Sequence, residues 1–343
     1  MSRAAYIGIR TGGTTSFLRS EALRRALPHW EWSFVDTDAP FRRASRLWRS
    51  LAFRWRVGKA VQDMNRHVIA ELPTGSFDVI WVDKGVCLYP ETIRQLRSQS
   101  RRLVYYTPDT SFLHNRSRFF ERTLDLYDLV VMTKSLELEQ YQTRVGPDRV
   151  LLTTQSYDRQ LHYPRVDFQG KRPEVVFIGL CEPSREACLD ELLRAGIPVR
   201  VGGVGWDRFV AQHKANRLLT FQGQAVFGEH YASVLSMASI GLGLLTQRFP
   251  ELHTTRTFEI PACATAIATL MTVETRKVFD DNQALFFNDY KELAMRILHL
   301  MSQPAELQKI TEAGHKKVLD GAYDNDSMVK LVLKNLGVVT GNN

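Results

Sequence analysis

Cysteine is scarce in this sequence: four residues in 343, at 87, 181, 188 and 263. None forms a CxxC pair, and none has a histidine at zinc-ligand spacing. A disulfide scaffold and a structural zinc site are therefore not expected. Cys181 and Cys188 are close enough in the chain to become spatial neighbours, but reduced, partly buried thiols fit better, as in a cytoplasmic protein. Long apolar runs are missing as well. The opening MSRAAYIGIRTGG has too short an apolar stretch for a secretory signal. No segment approaches the ~20 apolar residues of a membrane span. Low-complexity tracts and short-period repeats are absent, and the Gly-containing turn RTGGTTS at 10–16 is neither a GxGxxG nor a Walker A loop.

What is present is enough apolar material for packed cores, 44% of residues, in a chain long enough for two domains. The net charge of +8 points to an anionic partner: nucleic acid, a membrane surface or a phosphorylated substrate. Part of that charge is concentrated in PFRRASRLWRSLAFRWRVGK at 40–59, where arginines interleave with Leu47, Trp48, Leu51, Phe53 and Trp55.

Strand-like and helix-like segments alternate through the first half. AAYIGI (4–9), WEWSFVD (30–36), FDVIWVD (77–83), RLVYYTPD (102–109), DLVVMT (128–133) and RVLLTT (149–154) read as strands. TTSFLRSEALRRAL (14–27) reads as a helix with a Thr or Ser cap, 41–71 as one long helical stretch, and PETIRQLRSQ (90–99) as a helix with proline in its first turn. The segment 156–173 is polar and aperiodic and reads as a linker. Alternation restarts with EVVFIGL (174–180) and continues through PVRVGG, LLTFQG, SIGLGLL and TAIATL, and the chain ends in helices. The expected fold class is α/β: two Rossmann-like, doubly wound domains facing a cleft. The boundaries expected are 1–155, a linker at 156–173, a second domain at 174–325, and a terminal helix and tail at 326–343. In such sheets ligands bind beyond the carboxyl ends of the strands. The positions to watch are thus Arg10–Thr14, Lys84, Asp109, Gly179–Glu182, Gly202–Trp206 and Thr246–Arg256.

One of those stretches, PELHTTRTFEIPAC, carries Glu251 and Glu259 eight residues apart. Glu251 falls in the loop after an apolar strand, and Glu259 about one turn into the next helix. With that context the chain resembles the GT-B glycosyltransferases, and more closely the CgeB-like group of family 1/4-type enzymes. The match is strongest at TTRTFEIPAC and through 284–329. Lesser matches lie at VDKG (82–85), 108–141 and VFIGL (176–180), and the first 75 residues agree only in general plan. The resemblance implies that Glu259 binds the ribose hydroxyls of a nucleotide and that Glu251 contacts the donor sugar. Backbone amides across Thr254–Phe258 would then face the diphosphate. Two departures stand out. The glycine usual after the second glutamate is replaced by Ala264 or Thr265. The Gly-Phe-Gly usual after the first is replaced by Leu252-His253-Thr254.

Each candidate has a structural alternative. A carboxylate such as Glu259 accepts two hydroxyl donors at once, but also suits the first turn of any helix. Arg256 answers the growing negative charge of a diphosphate leaving group, with no metal or other cofactor, or pairs with an acid. Thr254, Thr255 and Thr257 suit phosphate contacts or caps. Gly179, Gly12 and Gly13 admit a donor phosphate or sugar close to backbone, or merely turn the chain. Asp109 and His114 are candidates to orient or deprotonate an acceptor hydroxyl, and Lys84 to meet an acceptor phosphate. Asp36-Thr37-Asp38 has the DxD form of a metal-holding motif, but GT-B enzymes do not require one, and no metal site is expected. Asp280-Asp281 reads as a polar turn. Residues 42–59 either meet an anionic membrane or pack on the domain.

The sequence thus points to transfer of a sugar from a nucleotide-diphosphate donor to an acceptor hydroxyl. The resemblance implies retaining, metal-independent chemistry, in surface or cell-envelope glycan assembly on a glycan or lipid-linked acceptor. The expected place is the cytoplasm, at the inner face of the membrane. The competing readings are an epimerase-like enzyme on the same fold and a non-catalytic basic module for membrane or nucleic acid, although no nucleic-acid module is recognisable.

Overall fold

The computed structural model describes residues 1–113 and 115–338. It divides into two units: Met1–Thr154 together with the chain from Asn325, and Gln155–Asp324.

The first unit runs β1 (Arg3–Gly8), α1 (Thr15–Ala26), β2 (Glu31–Asp36), α2 (Ala39–Arg43), α3 (Arg46–Trp55), α4 (Lys59–Glu71), β3 (Phe77–Asp83), α5 (Pro90–Ser98), β4 (Ser100–Thr107), α6 (Arg118–Glu121), β5 (Leu129–Met132), α7 (Leu138–Val145) and β6 (Val150–Leu152). Its sheet has the order β2-β1-β3-β4-β5-β6, every pair parallel. Because strand side chains alternate, each strand feeds two cores. Ala5, Ile7, Ile80, Val82 and Tyr105 enter one core, and Ala4, Tyr6, Trp81, Val104 and Tyr106 the other. The Thr14 hydroxyl caps α1 by accepting the Phe17 amide at 3.3 Å.

The second unit runs β7 (Arg172–Ile178), α8 (Pro183–Arg194), β8 (Val199–Gly202), α9 (Asp207–Gln212), β9 (Leu219–Phe221), α10 (Gly228–Met237), β10 (Ala238–Gly243), α11 (Arg256–Ala262), β11 (Ala266–Leu270), α12 (Val273–Val278), β12 (Leu285–Phe287), α13 (Tyr290–Ser302) and α14 (Pro304–Asp320). Its sheet is also all parallel, in the order β12-β11-β10-β7-β8-β9. The last helix, α15 (Asn325–Asn335), returns to the first unit. There Met328, Val329, Val332 and Leu333 complete the core beneath α1.

Three expectations change, and one strand is added. The stretch 41–71 is three helices, broken at Ala44–Ser45 and again at Arg56–Gly58, where Arg56 is left-handed (φ 57°) and Gly58 has φ 99°. Gly58 is required there, since a Cβ would lie 2.9 Å from the Trp48 ring. The 156–173 segment is no free linker but part of the second unit: the Arg165 amide donates to Ser236 Oγ at 2.7 Å, and Lys171 Nζ reaches the Ser236 carbonyl at 2.5 Å. The terminal helix is not a separate piece but an element of the first unit. Strand β12 (LFF) was too short to show a period.

The missing glycine after Glu259 has a visible cost. Ala264, just past α11, holds a left-handed φ of 51°. Its amide donates to the Pro261 carbonyl at 2.9 Å, so the helix closes as it does with glycine at this point. A non-glycine residue pays for that conformation in steric strain. Ala264→Gly should therefore raise stability by roughly 0.5–1 kcal/mol, read as a higher urea midpoint. A lower midpoint would mean that the Ala264 methyl contributes more by packing than its backbone loses.

Candidate active site

In the second unit, β7 ends at Ile178 and the chain turns through Gly179 into α8. Gly203 crosses so close that a Cβ on it would sit 2.2 Å from the Gly179 carbonyl oxygen. Trp206 Nε1 donates to that same carbonyl at 2.8 Å, fixing the turn. Gly179 has its own reason to lack a side chain: a Cβ would lie 2.9 Å from the Phe177 ring and 3.4 Å from Arg256 Nη1.

Phe177 is the platform for two arginines. The guanidinium carbons of Arg185 and Arg256 each lie 5.5 Å from its ring centroid. Both Nε atoms are buried, and neither has a hydrogen-bond partner. Arg185 is only 5% exposed; its Nη1 donates to the Leu180 carbonyl at 2.9 Å and lies 3.4 Å from Glu182. Burial, then the neighbouring Arg256, holds the Arg185 guanidinium below its ordinary value, with Arg248 adding to the effect and Glu182 and Glu251 opposing it. Glu182 is itself shared, accepting from Thr246 Oγ1 at 2.8 Å and lying 3.8 Å from Arg248. Two cations crowded in this way gain most when an anion joins them.

The Glu pair sits beside this cluster in the chain. Glu251 accepts the Thr246 amide at 3.2 Å and lines a groove of about 660 Å³ over the carboxyl ends of β10, β11 and β12. Glu259 is the fourth residue of α11 and is 5% exposed. Its Oε2 accepts the Tyr231 hydroxyl at 2.7 Å, and its Oε1 lies 3.9 Å from His162 Nε2. His162 Nδ1 accepts the Asp158 amide at 3.0 Å, so the neutral ring carries its proton on Nε2, toward Glu259.

Between the glutamates, Thr257 is fully buried and its hydroxyl accepts the Thr254 amide at 3.1 Å, so it clasps the turn and does not line a site. The Thr254 hydroxyl is buried with no partner. Thr255 precedes α11 without a side-chain cap. The amides of Thr257, Phe258 and Glu259 bond back to Thr254 and Thr255, whereas those of Thr255 and Arg256 have no partner among the described residues. His253, in place of the usual glycine-rich turn, is a clamp: Nε2 accepts the Gln155 amide at 3.0 Å and Nδ1 meets Glu274.

In the first unit, Lys84 follows β3 with a left-handed φ of 54°. Its ammonium pairs with Asp109 at 2.7 Å, both side chains part-exposed. Burial would push the Asp109 carboxyl up, but the charge and hydrogen bond of Lys84, with Lys134 and Arg19 behind it, hold it below its ordinary value. It is thus a good orienting acceptor and a poor base. Beneath this pair, Asp83 is buried against Arg19 at 2.7 Å and accepts the Tyr6 hydroxyl at 2.8 Å. Glu137 takes the amides of Ser111, Phe112 and Leu113 and so holds the loop after Asp109. His114 lies outside the described residues. Gly13 turns the loop before α1 with φ 79°, and Gly12 is exposed beside it. Asp36 and Asp38 both pair with Arg42, at 2.7 and 2.8 Å. All four cysteines are free thiols.

Arg185, Tyr231 and His162 were not anticipated. Arg185 lies three residues beyond the strand-end window, in CEPSRE; His162 lies in the stretch read as linker, and nothing in the sequence tied Tyr231 to Glu259.

The fold is GT-B. Over 98% of both chains it matches sucrose-phosphate synthase of Thermosynechococcus elongatus, with a TM-score of 0.66 at 16% identity. HepE of Anabaena, solved in complex with UDP and glucose, matches over 98% of this chain and 100% of its own, with a TM-score of 0.68 at 10% identity. A protein of E. coli titled trehalose-6-phosphate, bound with UDP-2-fluoro glucose, matches with a TM-score of 0.63 at 11% identity, over 98% of this chain and 99% of its own. Residues 185–334 match the model of a family described as glycosyl transferase-like. The fold is thus that of the GT-B glycosyltransferases, and residues 185–334 are similar to a glycosyl transferase-like family, in line with the sequence resemblance; neither match distinguishes the CgeB-like subgroup. No curated protein matches the sequence.

Burial, more than the attraction of Glu259 and Asp158, sets His162, whose pKa is lowered in the fold. The unfolded chain, near the ordinary 6.5, then binds more protons than the folded one, so stability falls as pH drops below about 6.5. His162→Asn keeps an acceptor for the Asp158 amide and should flatten the decline in urea midpoint between about pH 7 and 5. An unchanged slope would remove His162 as a buried neutral group.

Proposed function

We propose that this protein moves a sugar from a nucleoside-diphosphate donor to an acceptor hydroxyl without a metal ion. The observation that carries this reading is the pair of arginines stacked on Phe177 with unpartnered buried Nε atoms. As the glycosidic bond breaks, charge grows on the diphosphate. Arg185, Arg256 and the free amides of Thr255 and Arg256 receive that charge in a partly dehydrated setting. Glu259, steadied by Tyr231 and His162, takes the ribose hydroxyls, and Glu251, on its groove, takes the donor sugar. Attack from the same face, assisted by the leaving phosphate, retains the anomeric configuration. Asp109, fixed by Lys84, orients the acceptor. The UDP-containing structures of similar fold support a nucleotide donor.

With UDP as the probe in calorimetry, Glu259→Gln should weaken binding by about 1–3 kcal/mol, and Arg185→Gln by a similar amount. Excess EDTA should leave wild-type binding unchanged. Loss of binding in EDTA, or full affinity in both variants, would overturn the assignment.

The acceptor is part of a surface or envelope glycan built at the inner face of the membrane. No helix among the described residues is long and apolar enough to span a bilayer. On α3 and just beyond it, Leu47, Phe53, Trp55 and Val57 are exposed among Arg43, Arg46, Arg49 and Arg54, while Trp48 packs inward. Arg42 is spent on Asp36 and Asp38. Each free basic residue at an anionic bilayer contributes on the order of 1 kcal/mol, screened by salt. Binding to anionic but not neutral liposomes is expected, falling with salt and weakened in Arg43→Gln/Arg46→Gln. Indifference to anionic liposomes at low salt would leave α3 as a solvated helix.

A further inference from the structure

The first unit contains a cavity of about 480 Å³, bounded by α3 on one side and the Lys84 turn on the other. Arg49, Ala52, Phe53 and Arg56, at i, i+3, i+4 and i+7 along α3 and its cap, form one wall. Met64 and Leu88 add apolar surface. Three acids also line it, and each is already neutralised: Asp38 by Arg42 at 2.8 Å, Asp83 by Arg19 at 2.7 Å and Asp109 by Lys84 at 2.7 Å.

The two arginines of the wall are not neutralised. Arg56 donates to the Phe53 carbonyl at 2.7 Å and to Asn115 Oδ1 at 3.1 Å, both uncharged. Arg49 has no carboxylate partner among the described residues. A cavity of this size with apolar walls and two uncompensated guanidiniums fits a ligand that is apolar along its length and doubly hydrogen-bonding and anionic at one end. Phe53, 75% exposed at the mouth, gives such a chain an apolar way in.

We propose that this cavity binds a single-chain amphiphile bearing a phosphate, with the phosphate between Arg49 and Arg56 and the chain against Phe53, Met64 and Leu88. That this amphiphile is the acceptor rests on the glycosyltransferase reading; that the cavity binds it does not.

The test uses monomeric octyl phosphate, octyl glucoside and inorganic phosphate in calorimetry with the full chain. Octyl phosphate should bind at least tenfold more tightly than either of the others. Arg49→Gln/Arg56→Asn should weaken it at least fivefold; asparagine is chosen at 56 because it tolerates the left-handed backbone. Arg43→Gln/Arg46→Gln, at the end of α2 and the start of α3 and outside the cavity lining, should leave it unchanged. Equal binding of octyl glucoside would reduce the cavity to a greasy pocket, and equal binding of inorganic phosphate to a bare cation site. Either result overturns the proposal, as does an unaffected Arg49/Arg56 variant or an equal loss in the Arg43/Arg46 variant. UDP titrated into the same sample separates the two readings: octyl phosphate binding without UDP binding supports this site and sinks the donor assignment.

Discussion

Every strand in both sheets runs in the same direction as its neighbours, so the chain must leave each sheet along one edge. That constraint, more than any single contact, decides where chemistry is available. Lys84 and Asp109 follow β3 and β4, Gly179 follows β7, and Glu251 follows β10. Backbone groups at these ends have lost their ladder partners. Loops there carry the polar side chains, while the strands behind them are buried on both faces.

The two units handle charge at that edge in opposite ways. In the first, each of these acids has a base: Asp83 has Arg19, Asp109 has Lys84, and Asp36 and Asp38 share Arg42. Arg43, at the end of α2, and Arg46, Arg49 and Arg54, on α3, have no carboxylate partner among the described residues. In the second, Arg185, Arg248 and Arg256 gather around Glu182 and Glu251, and the stacked pair is left with buried donors unused. A hydrogen-bonding group kept from water without a partner is costly, and such groups persist where a ligand supplies the missing acceptor.

Much of this was legible because the strands are apolar runs cut off sharply by polar loops. The strand–loop–helix frame placed Glu251 and Glu259 correctly, and the Thr14 cap followed from residue type. Failures came where meaning depends on distant partners. His162 and Tyr231 reach Glu259 from a polar segment and a separate helix, and no local pattern records that. The DxD letters carried no sign that Arg42 would fold back on them. The breaks at Ser45 and Gly58 were hidden because helical spacing continues across them in arginines and aromatics. Ala264 is the reverse case: a departure from a family pattern turned out to mark a backbone angle that alanine adopts at some expense.

The return of α15 has a consequence for how the molecule is made. The second unit is continuous in sequence, entered after Thr154 and left after Asp324, and its two ends are stitched together by the Tyr157–Asp324 bridge. A ribosome therefore delivers all six strands of the first unit, then the whole of the second, before the helix that covers Tyr6, Trp81 and Tyr106. Until α15 emerges, the face of the first sheet that carries Tyr6, Trp81 and Tyr106 has α1 over it without α15. The unit translated first is the one completed last.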